Sequence, residues 1–207
     1  MTGLFLSFEG IDGSGKSTQA RLLADHLKAA GRDVVLTREP GGSPGAEEIR
    51  RLVLEGDPDR WSAETELLLF TAARRDHLER IILPGIERGA VVISDRFADS
   101  TRVYQGTTRG DLTKTVNILH DAVIGIEPDL IFLIDIDPVT LDYWQRLKTA
   151  RKCSDSCAAV ARLLLVAIGF QKYLGELAPL LVRGWSTPVL NGRGNPHSRA
   201  WGAHALV

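Results

Sequence analysis

The stretch Phe8 to Thr18, FEGIDGSGKST, decides how the chain must fold. Gly10 is followed after four residues by Gly15-Lys16-Ser17, the spacing of a phosphate loop. In such a loop backbone N–H groups wrap the phosphates of a nucleoside triphosphate, the lysine reaches the terminal ones, and the hydroxyl binds magnesium. The pattern gains meaning from its flanks. Leu4 to Phe8 is an apolar run of strand length, and Ser17 to Ala30 sets Ala20, Leu23, Ala24 and Leu27 on one helical face before Gly31 stops it.

Three more short runs, 33–37, 90–94 and 130–134, are apolar along their length, as strands of a parallel sheet covered on both faces should be. Helical patterns lie between them, over 63–88 with a break near Pro84 and over 112–124. Repeated βα units with right-handed crossovers follow, an α/β class in which ligands collect at the carboxyl ends of the strands. Those ends carry Glu9 and the phosphate loop, REPGG (38–42), DRFADS (95–100) and DIDP (135–138), so charge gathers where the ligand is expected.

Phosphoryl transfer requires positioning and charge stabilisation more than covalent chemistry. Lys16 and Ser17 serve the donor, Asp95 is the expected magnesium carboxylate, and Arg38, Arg74 and Arg96 are candidates for a second anion. An acceptor that is itself a phosphate monoester ionises for the second time near pH ~6 and needs no strong base. The first 140 residues contain no Ser/His/Asp nucleophile set, and His26, His77 and His120 are read as surface or packing residues.

The 207 residues are 44% hydrophobic, enough for one α/β domain with a buried core. A formal net charge of −1 argues against wholesale nucleic-acid binding. No apolar run reaches bilayer length and the N-terminus lacks a secretion pattern, which implies a cytoplasmic protein with Cys153 and Cys157 as free thiols.

Five stretches, FEGIDGSGKSTQ, TREPGG, LLLFTAARRDH, DRFADSTRVYQG and EPDLIFLIDIDP, resemble the thymidylate kinases in order and spacing over residues 1–140. The resemblance implies a three-layer phosphate-loop fold of the nucleoside monophosphate kinase kind, with a parallel sheet of about five strands flanked by helices. It also implies a magnesium- and ATP-dependent kinase converting dTMP to dTDP, usually a homodimer. Carried over by position, Gly10, Ile11, Asp12, Gly13, Ser14, Gly15, Lys16, Ser17 and Thr18 surround the ATP phosphates, with Asp12 near the transferred group and Ser17 and Asp95 at the metal. Phe70 matches the ring that stacks on thymine. Arg74 matches the arginine near the base and acceptor phosphate, Arg38 and Arg96 line the acceptor site, and Ser100, Tyr104 and Gln105 face base and deoxyribose.

Members with glycine at the place of Gly13 supply a transition-state cation from a lid after the fourth strand, which points to residues 145–160 and to Arg151 in particular. Past Thr140 the motifs thin out. Residues 1–140 carry 16 basic and 23 acidic side chains, whereas residues 141–207 carry 9 and 3. That discontinuity suggests a diverged tail or a shifted reading frame. One domain over 1–207 is expected, with 141–160 as lid and 161–207 as diverged C-terminal helices. An active kinase leads; a nucleotide-binding protein impaired by its lid, or another nucleotide or nucleoside kinase, are the alternatives.

Overall fold

The computed structural model describes residues 3–57, 59–108, 110–136 and 201–203. Its centre is a parallel sheet of β1 (Leu4–Glu9), β2 (Val34–Arg38), β3 (Val91–Asp95) and β4 (Leu130–Ile134) in the order β2-β3-β1-β4, with β5 (Trp201–Ala203) alongside β4. Every pairing is parallel, and Phe8 sits opposite Asp95 on one side and Phe132 on the other. Alternation along β1 divides its side chains between two cores. Leu6 and Phe8 join Val91 and Ile93 under Ala20, Leu23, Ala24 and Leu27 of α1 (Lys16–Ala29). Phe5 faces the other way with Val92, Leu78, Ile82, Phe97 and Ile124. Helices on both faces make the three layers expected.

The first helix starts where the phosphate loop ends. Gly15 takes φ 100°, a left-handed value open to glycine at little steric cost, and its carbonyl accepts from the N–H groups of Thr18 and Gln19. Strand positions fall within a residue of those read from the sequence. The long helical pattern proves to be α3 (Ala63–His77), a π-helical turn (Leu78–Ile82) and α4 (Leu83–Glu87). The interruption thus precedes Pro84, which sits in the first turn of α4, where a missing N–H costs little. Similarly 112–124 divides into α6 (Thr113–Leu119) and a π turn (His120–Ile124).

Two helices were not read from the sequence: α2 (Pro44–Leu54) and α5 (Ala98–Val103). Gly41 and Gly42 mask the first, whose start at Ser43-Pro44 is nevertheless a helix-entry signal, and which buries only Ala46. The second is six residues long, too short for a hydrophobic period to register. Together these two helices carry the strand-end loops around the site.

Candidate active site

The loop after β1 bends so that Ile11 O accepts from Lys16 Nζ at 2.7 Å and from Ser14 N–H at 3.2 Å. Gly10 is required by close approach as well as by φ 135°, because a Cβ there would lie 2.4 Å from Ile134 O of β4. Lys16 is buried, while Asp12 is almost wholly exposed at 88% and stands 3.9 Å from the ammonium. Burial and the neighbouring Arg96 charge hold the lysine below its usual range, against the pull of Asp12 and Asp95. Ser17 Oγ donates to Asp95 Oδ2 at 2.5 Å, so the loop hydroxyl meets the carboxylate that ends β3.

Arg96 follows that carboxylate and has φ 76°, a left-handed conformation uncommon for an arginine. The surroundings hold it there: its N–H donates to Phe8 O at 2.9 Å, and Ser94 Oγ donates to its carbonyl at 2.7 Å. The guanidinium then spans two groups, donating through Nη2 to Asp12 at 2.5 Å and through Nη1 to Ser100 Oγ at 2.8 Å, with Tyr104 stacked 5.3 Å from its centre. Burial works against this charge, but Asp12 and Tyr104 together outweigh it and raise the arginine above its ordinary value.

Beside it opens a cleft of about 210 Å³ lined by Phe70, Arg74, Arg96, Ser100, Tyr104 and Gln105, and reached by Asp12 of the loop. Six of the seven residues expected at an acceptor are therefore together. Arg38 is the exception. It is more than half exposed, pairs with Glu47 at 3.2 Å, and does not line the cleft. Its neighbour Glu39 turns inward in its place.

Glu39 is almost fully buried and forms the centre of a charged network. Arg74 Nε donates to Oε2 at 2.7 Å, and His77 Nδ1 lies 2.9 Å from Oε1. Thr37 Oγ1 meets His77 Nε2 at 2.7 Å, and Arg74 Nη2 donates to Phe97 O and Thr101 Oγ1. Burial alone would raise the Glu39 carboxyl; Arg74 and His77 together reverse that and lower it. Sequence reasoning chose Arg38 from REPGG and read His77 as packing without a partner. The available signal was an acid, an arginine and a histidine in adjacent motifs. Glu9 was likewise named only as a strand end: buried, it accepts from Phe97 N–H at 2.7 Å and Ser100 Oγ at 2.6 Å, and burial raises its carboxyl despite both bonds.

Arg151, with the rest of the expected lid and both cysteines, lies outside the described residues. His26 is exposed on α1, whereas His120 is buried beside Glu127 at 3.1 Å.

A parallel sheet whose first loop is shaped for phosphates and whose third strand ends on a carboxylate at that loop defines a class, the phosphate-loop kinases of the nucleoside monophosphate kinase fold. Comparison narrows it. The family model described as thymidylate kinase matches residues 8–176, further than the quoted motifs run. Curated thymidylate kinases of Ruegeria pomeroyi and Dinoroseobacter shibae are 78% and 73% identical over 139 and 136 residues, covering 67% and 66% of this chain. The matched part spans 66% of the length of each. The crystal structure of thymidylate kinase from Ehrlichia chaffeensis superposes with a TM-score of 0.62 at 40% identity, over 72% of this chain and 89% of that one. This chain belongs to the thymidylate kinase family.

Proposed function

We propose that this protein transfers the terminal phosphoryl group of ATP to dTMP, giving dTDP and ADP, in dTTP synthesis. The observation that carries the reading is the single cleft in which an aromatic ring, two arginines and three polar side chains meet Asp12 of the phosphate loop. A flat ring suits a base and guanidinium groups suit a phosphate. The relatives are described as thymidylate kinases, which favours an active kinase over a protein that only binds nucleotide.

In this reading Gly10 to Thr18 wrap the donor phosphates and Lys16 neutralises their terminal charge. Ser17 and Asp95 offer hard oxygen atoms, the donors that suit magnesium, so they would hold the ion together with the phosphates; magnesium, when bound, offsets charge developing on them. Arg96 is placed by Asp12 and Ser100 to face both the donor loop and the acceptor phosphate, holding the two in line. The acceptor enters already ionised, so no side chain removes a proton. Arg151 is assigned the transition-state cation. The homodimer that the family resemblance implies belongs to this reading as well. Among the described residues no helix is long and apolar enough to cross a membrane, in keeping with a cytoplasmic enzyme.

Phe70→Ala tests the acceptor assignment. Loss of base stacking, worth about 1–3 kcal/mol per base, should weaken dTMP binding on the order of tenfold or more while ATP binding changes little. Calorimetric titration with both ligands measures it, and equal losses for the two would make Phe70 a packing residue only.

A further inference from the structure

We propose that Glu66 determines which base the cleft accepts, by holding the Gln105 amide with its carbonyl oxygen toward the cleft. The inference rests on the reading that the cleft binds a nucleoside monophosphate. Glu66 stands in the first turn of α3, where Ser62 Oγ caps the helix by accepting from Thr65 N–H. Gln105 is buried in the π turn Tyr104–Thr108 and lines the cleft, whereas Glu66 does not. Gln105 Nε2 donates to Glu66 Oε1 at 3.0 Å. A carboxylate accepts and cannot donate, so turning the amide over would set oxygen against oxygen. One N–H of the amide is thus committed to the wall, and this fixes the orientation that leaves the carbonyl oxygen on the side away from Glu66, for a ligand to meet.

Ser100 is committed in the same sense. Its hydroxyl donates to Glu9 Oε2 at 2.6 Å and it accepts from Arg96 Nη1 at 2.8 Å. Two carboxylates, each on a separate element, therefore leave Gln105 and Ser100 to face a ligand as acceptors, beside the donors Arg74 and Arg96. Thymine and uracil present one N–H at N3 flanked by carbonyls, which complements such a wall. Cytosine presents a lone pair at N3, which the Gln105 carbonyl would oppose. A buried polar group left without its partner costs enough to change affinity on the order of 10- to 100-fold.

The test is calorimetric titration of the full chain with dTMP, dUMP, dCMP and ATP, comparing wild type with Glu66→Lys and Glu66→Gln. The dUMP to dCMP ratio isolates the base edge from the methyl group. In Glu66→Lys the ammonium donates to the amide oxygen and turns the NH2 group toward the cleft; dTMP and dUMP should weaken by about 10–100-fold and dCMP should not, with ATP unchanged. Glu66→Gln, which pairs with Gln105 in either orientation, should lose part of the ratio, and it decides the matter if Glu66→Lys fails to bind ATP. An unchanged dUMP to dCMP ratio in a variant that still binds ATP overturns the role of Glu66. A wild type that binds dCMP as well as dTMP overturns the acceptor reading beneath it.

Discussion

Lys16→Ala should remove measurable phosphoryl transfer while the protein still folds. The ammonium lies at the start of α1, held by Ile11 O and flanked by Asp12 and Arg96, where the terminal phosphates of a wrapped donor would meet it. Its removal takes away a preorganised charge from a site where one such donor is worth on the order of 10²–10³-fold in turnover. Structure should suffer little, since alanine at the first position of a helix is a good helix former and the lysine head contributes no apolar packing. Turnover by coupled ADP release and the melting temperature, measured together, check this. A variant within tenfold of wild-type rate would remove Lys16 from the machinery.

Glu39→Ala should have the largest effect on stability of any single change at the site. It leaves Arg74 buried with no counter-charge, and removing one partner of a buried ion pair costs about 3–5 kcal/mol. For a domain stabilised by only about 5–15 kcal/mol that is a substantial share. Urea unfolding should show the midpoint falling with an unchanged slope. A shift of under about 1 kcal/mol would mean that water reaches Arg74 readily. The same network sets a pH dependence. Glu39 is lowered in the folded state, so its contribution is complete above the unfolded carboxylate range and lost as pH falls through the lowered value. Glu127 behaves alike: burial would raise it, yet His120 and Arg102 together bring it to about 2, so its share is lost as pH falls from about 4.5 toward 2. Acid unfolding of the wild type should be steep in that range, and Glu39→Ala should flatten it.

The sheet and its site were legible because their signals are local. Short, mainly apolar runs mark β1, β3 and β4, and Gly10 and Gly15 are demanded by backbone geometry that little else satisfies. Motif order then brought Phe70, Arg74, Arg96, Ser100, Tyr104 and Gln105 to one cleft from two segments of chain. What escaped was partnership. In REPGG both Arg38 and Glu39 are charged, and only the third dimension decides that the arginine meets Glu47 outside while the acid meets Arg74 within. His77 likewise looks like any helix histidine until β2 supplies Thr37. α2 hid because it buries one small residue and opens on glycines, and α5 because it is shorter than two turns.

The most direct test is the initial rate of ADP release by the full chain with ATP and magnesium over dTMP, dUMP, dCMP, dAMP and AMP. The account predicts that dTMP gives the highest kcat/KM. It predicts that dUMP, which lacks a methyl group worth about 1–3 kcal/mol, is poorer but detectable, and that the purine nucleotides are near background. Phosphorylation of AMP or dCMP in preference to dTMP, or ATP binding with no dTMP-dependent ADP release, would contradict it.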